Sequence, residues 1–222
     1  MNEPVKLEFS EKYDQAHARK YFLKHQNGLA RRLSHHRDVQ LARKALALAG
    51  DPGLVLDLPC GAGRFWPMLA EKNDRMIIGA DNSAAMVETA CAMQPPEVVK
   101  RVRPLQTSAF AIDLPDNSVD SIFSMRLLHH IGEASHRANL FKEFHRVTRD
   151  SVIISLWVDG NFKAWKRRRT ERTRGQEGYQ NRFVLPTARV EDEFVKAGFQ
   201  IQQRLDFLPL YAMWRVYLLR KI

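Results

Sequence analysis

The residues best suited to chemistry stand together as Asp57-Leu58-Pro59-Cys60-Gly61-Ala62-Gly63-Arg64. The apolar run Leu54-Val55-Leu56 leads into them, and the helix-compatible segment FWPMLAEK follows. Glycines at 61 and 63 leave the backbone bare where a ligand can approach. The first turn of the following helix offers N–H groups with no partner inside the helix. Eighteen residues beyond Gly63, Asp81 ends a second apolar run, MIIGAD. A carboxylate there can accept hydrogen bonds from both hydroxyls of a ribose. A lone GxG marks only a tight turn, and a lone aspartate only a cap. The whole series of strand, GxG, helix, strand and acid points to a nucleotide-type ligand. Trp66 stands where a dinucleotide fingerprint has its third glycine. That argues against NAD and FAD, and for a ligand with no pyrophosphate to seat on the helix.

Further candidates lie along the chain. His129 and His130 follow a fourth apolar run, at the mouth of the expected crevice. Imidazole is the side chain best matched to removing a proton near neutral pH, so both are candidate catalytic bases. The competing reading is a helix start with one histidine packed or hydrogen-bonded. Cys60 reads as a small packing residue rather than a nucleophile. Residues 163–174, KAWKRRRTERTR, hold seven cations and one acid. This run is either a solvated loop or a clamp on an anionic substrate, with Trp165 and Tyr179 placed to stack beside cations. Arg167, Arg168 and Arg169 at its centre are the candidate substrate-binding residues, expected on a mobile lid that closes on an anion. Tyr21, with Tyr13 and Phe22, could line a pocket or form the apolar face of a lid helix. His25, His35 and His36 belong to the same N-terminal helices.

These residues need a scaffold. Residues 11–49 read as helical, with apolar spacing at Leu29, Leu33, Val39, Leu41, Leu46 and Leu48. LVLDLP and MIIGAD read as strands buried on both faces. Ser83 is placed to cap AAMVETACAM, which stops at Pro95-Pro96. VRPLQTSA, VDSIFSM and SVIISLWV read as the third to fifth strands, and residues 133–149 as an amphipathic helix. This βα alternation requires a parallel sheet with helices on both sides. A polar, basic insertion at about 159–186 breaks the rhythm. Thr187 is placed to cap ARVEDEFVKA, and Gly198 to end it. FQIQQRLDF and WRVYLLRK have no helix between them, so they pair antiparallel. The chain thus divides into a helical cap or lid, 1–50, and an α/β domain, 51–222.

Composition narrows the classes. Apolar residues make up 45% of the 222, which excludes disorder by composition. No apolar run approaches the ~18 residues of a membrane span. The polar start MNEPVKLEFSEKYD is neither a secretory signal nor a transit peptide. Two cysteines, Cys60 and Cys91, give no disulfide framework and no metal site, so a reducing cytoplasm is the expected location. The net charge of +10 is concentrated in residues 1–50, with ten Lys/Arg against five Asp/Glu, and in the basic run. Such charge attracts phosphate, carboxylate, nucleic acid or anionic lipid without choosing among them.

VLDLPCGAGR, IIGADNSAAMVETA and LPDNSVDSIFSMRLLHHI together resemble the class I S-adenosylmethionine (SAM)-dependent methyltransferases, of the small-molecule type that includes quinone-biosynthesis enzymes. The resemblance spans roughly residues 50–222. It implies a Rossmann-like, doubly wound seven-stranded α/β sheet, mostly parallel with an antiparallel C-terminal strand, plus N-terminal helices over the site. It implies SAM as cofactor and S-adenosylhomocysteine (SAH) as product. Residue by residue, it implies that Asp57, Gly61 and Gly63 surround the methionine part and that Asp81 holds the ribose. Asn82 would lie beside the adenine, with Ser108 and Ala109 at the adenine edge, Ser108 replacing the family's usual acidic residue. Met125 and Arg126 would face the methionine end.

The expected function is methyl transfer to a small-molecule or lipid-like acceptor carrying an anionic group, with peripheral membrane contact but no spanning segment. The alternative is an RNA or other nucleic-acid methyltransferase, its basic appendages tracking phosphates. Against it, no RNA-binding module is evident, and SMRLLHH stands where amino-group nucleic-acid methylases carry Asn/Asp-Pro-Pro-aromatic. A non-catalytic SAM-binding partner subunit is a further alternative. A nicotinamide oxidoreductase is the most distant.

Overall fold

The computed structural model describes residues 28–174 and 182–222. Seven strands form one sheet: β1 (Leu54–Asp57), β2 (Met76–Asp81), β3 (Val102–Gln106), β4 (Val119–Ser124), β5 (Thr148–Trp157), β6 (Phe199–Asp206) and β7 (Trp214–Lys221). Their order is β3-β2-β1-β4-β5-β7-β6. β1 pairs parallel with both β2 and β4, so the direction of winding reverses beside it. In open α/β sheets the ligand crevice lies outside the carboxyl ends of the strands at such a switch point. β7 runs antiparallel to both β5 and β6, as the missing crossover helix required.

Alternation within the central strands explains the layering. Val55 and Leu56 are both fully buried, yet they belong to different cores on opposite faces. On one face α5 (Ala134–Val147) and α7 (Thr187–Lys196) contribute Leu140, Phe141, Phe144, Val190 and Phe194. On the other, α1 (Leu29–Leu48) contributes Val39, Ala42, Ala45 and Leu46 against Val55, Phe123 and Ile153. α1 is therefore built into the main core. Leu33 and Leu48, part of the expected apolar stripe, are exposed. The edge strands read differently: β3 and β6 alternate toward solvent, and Pro104 is tolerated in β3 because one side has no partner strand.

Short elements complete the winding. α2 (Trp66–Leu69) carries Pro67 in its first turn, where a missing N–H costs nothing. Ser83 caps α3 (Ala84–Met93) by accepting from the Met86 N–H. α4 (Pro96–Val99) follows directly. At α7 the expectation fails in detail. Thr187 is the first helical residue, not the cap, and Asp159 caps from another loop, accepting from the Thr187 N–H at 2.9 Å and its hydroxyl at 3.0 Å. The basic run also differs from a loop: α6 (Phe162–Arg174) is helical, its repulsion eased by Arg167–Glu171 and Arg168–Asp159 ion pairs. Among the described residues no helix is long and apolar enough to cross a membrane.

Candidate cofactor and acceptor site

The turn after β1 is held by backbone and by carboxylate. Leu58 N–H donates to the Phe123 carbonyl of β4, and Cys60 N–H to Ala80 of β2, so the loop starts pinned between its two neighbours. Gly61 and Gly63 adopt φ of 53° and 70°, the left-handed region that glycine enters without a steric penalty. A Cβ on Gly63 would stand 2.9 Å from the Trp66 ring. The Trp66 indole is fully buried, wedged against Gly63 and Gly79, so the third-glycine position is filled by an aromatic plug. Gln94 at the end of α3 donates to the Ala62 carbonyl.

Two buried aspartates meet at this loop. Asp81 accepts from the Gly61 N–H and the Ser83 N–H, each at 3.0 Å, one per carboxylate oxygen. Burial pushes its pKa up, opposed by those backbone donors. Two further acceptor sites remain on a carboxylate so engaged. Asp57 is 1% exposed, and neither of its oxygens has a hydrogen-bond partner. Burial above all, then the charge of Asp81, push its pKa well above the usual carboxylate range; the Trp66 indole offsets this only partly. An orphaned buried carboxylate is costly unless a cation or donor arrives from outside the chain. A cation-bearing ligand with a ribose fits this loop. A pyrophosphate would meet two buried carboxylates.

The other cofactor candidates stand at the same strand ends. Asn82 is exposed, with its carbonyl accepting from Gln106. Ser108 Oγ accepts from the Phe110 N–H, and Ala109 is buried. Met125 is buried just past β4. Cys60 is buried beside Asp57, and burial pushes its thiol well up, which suits packing and not nucleophilic attack.

α1 is clamped over the loop by a hub that the sequence reading missed. Asp38, nearly fully buried, accepts from Arg64 at 2.7 Å and from Arg126. Arg64 also donates to His35 Nδ1 at 2.9 Å. His36, one residue on, hydrogen-bonds Gln40 instead. A lone aspartate among helical cations gave no signal in the sequence.

Arg126 links the hub to an aromatic cluster beyond β4. Its guanidinium lies 4.5 Å from the Trp214 ring centroid. Trp157 and Trp214 are register partners across β5 and β7, with ring centroids 5.5 Å apart. His129 fills the angle between them, stacked on Trp157 at 5.1 Å and edge-on to Trp214 at 4.8 Å. Arg167 and Arg182 approach the Trp157 ring at 5.1 and 5.8 Å. Burial first, then His130 and these arginines, lower the His129 pKa to about 2. His129 Nδ1, Trp157 Nε1 and Arg126 Nε are buried without a partner.

The candidate substrate arginines part company. Arg167 faces Trp157, Arg168 turns back to Asp159, and Arg169 lies over Trp165 on the outer surface. His130 is half-buried, its ring 4.0 Å from that of His129. Arg137, buried, grips Glu193 through two bonds of 2.7 and 2.6 Å and donates to the Ile131 and Gly132 carbonyls, which fixes the turn after His130. Tyr21, with Tyr13, Phe22 and His25, lies outside the described residues. So does Tyr179.

Residues 55–151 match a family model described as a methyltransferase domain. That segment runs from β1 into β5 and contains the glycine loop, both aspartates and the two histidines. The chain thus carries a stretch similar to a methyltransferase domain, on a seven-stranded Rossmann-like sheet. The fold is shared with magnesium protoporphyrin IX methyltransferase from Synechocystis PCC 6803, solved with SAH, at a TM-score of 0.76 and 14% identity over 96% of this chain and 98% of that one. It is also shared with a SAM-dependent methyltransferase from Aquifex aeolicus, at 0.63 and 19% over 95% and 100%. A (4+2) cyclase shares it too, at 0.63 and 17% over 82% and 80%. At these identities the likeness shows the fold alone, and the acceptors belong to those proteins. No curated protein sequence matches the chain. The match does not single out the quinone-biosynthesis type. The glycine loop would fit SAM or SAH: it offers an orphaned buried carboxylate to an ammonium and a bare glycine turn for close approach.

Proposed function

We propose that the protein is a SAM-dependent methyltransferase acting on a small-molecule or lipid-like acceptor that carries an anionic group. The observation that supports this is the convergence of Arg126, Arg167 and Arg182 on the paired indoles of Trp157 and Trp214. An aromatic wall ringed by guanidinium groups holds a flat or apolar body and neutralises a carboxylate or phosphate at its edge. The wall joins the glycine loop through Arg126, Asp38 and Arg64, so both reactants would be held on one rigid frame.

Bound SAM supplies a methyl group on a sulfonium, ready for in-line substitution. Asp57 would hold its ammonium and Asp81 its ribose, with Met125 and Arg126 beside the methionine end. His129, with a pKa of about 2, is neutral at working pH and too weak a base to hold an abstracted proton. Its uncharged ring serves as a wall and a hydrogen-bonding group. His130, half-buried next to it, takes the proton where the acceptor is a hydroxyl, thiol or carbon acid.

The test is transfer from methyl-labelled SAM into cell extract, separated into acidic small molecules and lipids, neutral metabolites, and RNA. Label in the acidic fraction, lost with Arg126→Ala, is the expected result. Label confined to RNA would overturn the reading in favour of the nucleic-acid alternative.

A further inference from the structure

Five of the ten large hydrophobic side chains exposed on the described surface lie in one place: Leu210 at 83%, Trp165 at 57%, Phe162 at 50%, Leu208 at 48% and Tyr211 at 47%. They come from two elements, the first turn of α6 and the loop between β6 and β7, and backbone hydrogen bonds zip these together. Phe162 N–H donates to the Leu210 carbonyl at 2.9 Å, and Lys163 N–H to that of Tyr211 at 3.0 Å. Phe162 stacks on Tyr211 with planes 11° apart, and Trp165 lies beside Phe162. The patch is thus a fixed surface. A shallow groove of about 380 Å³ opens on it, lined by Phe162, Trp165, Lys166, Arg169 and Thr170.

Leu210 gives the strongest sign that the patch is not incidental. Its backbone sits at φ 59°, the region that favours glycine or asparagine. The tip of a tight loop therefore carries a leucine where the backbone disfavours one, and that leucine contributes almost nothing to the core. Cations flank the patch: Lys163 sits over the Tyr211 ring, Arg169 over the Trp165 ring, and Lys166 is exposed on the same helix.

We infer that this surface docks on an anionic lipid bilayer, with Leu210, Leu208 and Trp165 entering the interface and Lys163, Lys166 and Arg169 reaching the headgroups. Basic residues around an aromatic and aliphatic tip form the pattern that lies in a membrane surface without crossing it. A nucleic acid offers the exposed leucines nothing to bury against, and a second copy would bring the same positive charge to the interface. The docking does not depend on which acceptor is methylated. It does place the bilayer against the helix that also carries Arg167 to the Trp157 wall.

The experiment is sedimentation of the full chain with vesicles of phosphatidylcholine alone and of phosphatidylcholine mixed with phosphatidylglycerol. Expected is a preference for the anionic vesicles of about tenfold or more, reduced by salt. Leu210→Gly keeps both backbone hydrogen bonds and suits the positive φ, so its melting temperature should be unchanged or higher. Its binding should still fall by about tenfold or more, the scale of losing one buried leucine. Lys163→Glu with Lys166→Glu should remove the preference for anionic lipid while SAH binding stays intact. Equal binding to both vesicle types, or wild-type binding by Leu210→Gly, would overturn the inference. So would self-association without vesicles that Leu210→Gly abolishes, since the patch would then be a contact between copies.

Discussion

The two halves of the proposed site are built by opposite strategies. The cofactor half gathers Asp57, Gly61, Gly63 and Asp81 from two adjacent strands and one turn, and its geometry is mostly backbone. The acceptor half draws Arg126, His129, Trp157, Arg167, Arg182 and Trp214 from five separate stretches, and its geometry is mostly rings and guanidinium groups. The first is negative and narrow, the second positive and broad. Negative charge where the cationic cofactor would sit and positive charge where the acceptor would sit would sort the two reactants electrostatically before any close contact forms.

The sharpest way to break this contrast is Asp57→Asn. Leaving the ammonium without its carboxylate should weaken SAH binding by about 3–5 kcal/mol, read by calorimetric titration. Stability should move the other way. Asp57 titrates above its unfolded value, so its contribution favours folding at low pH and is lost as pH rises through that raised value. The asparagine variant has no charge to bury. It should melt above wild type at neutral pH, and the gap should close on acidification. A variant that loses stability at neutral pH would deny that the carboxylate is held for a ligand.

Asp38→Ala tests the joint between the halves. It leaves Arg64 and Arg126 facing a low-polarity interior without their shared acceptor. A loss of about 3 kcal/mol is expected, or roughly 6–12 °C in melting temperature for a chain of this size. Asp81→Ala comes next. It should weaken SAH binding by about 1–3 kcal/mol through loss of charge-assisted hydrogen bonds. Unchanged affinity in a folded variant would remove Asp81 from the ribose.

Smallest is Arg167→Ala, which should raise acceptor KM several-fold, about 1 kcal/mol, and leave SAH affinity untouched. The structure separates it from its neighbours. Arg169→Ala should leave KM unchanged, and Arg168→Ala should act on stability through the Asp159 cap of α7.

The same contrast explains what could be read from the sequence. The glycine turn, Asp81 and the strand periods are local signals, and they sufficed for the fold and the antiparallel last pair. Trp157 and Trp214 face each other only because β7 pairs with β5, which spacing alone does not give. Asp38 required knowing which side of α1 meets the glycine loop. The α6 reading gave like-charge repulsion too much weight: arginine and lysine are strong helix formers, and no glycine or proline interrupts residues 162–174. At α7, Thr187 looked like the cap because a sequence cannot show Asp159 arriving from another loop.

The central claim is that two buried carboxylates and a bare glycine turn select an adenosine ligand that carries an ammonium group. The most direct measurement is calorimetric titration of the wild-type chain with SAH and with NAD, from neutral pH downward. SAH should bind at neutral pH and weaken as acidification protonates Asp57, while NAD should give no heat of binding at any pH. Binding of NAD with no response to SAH would contradict the account.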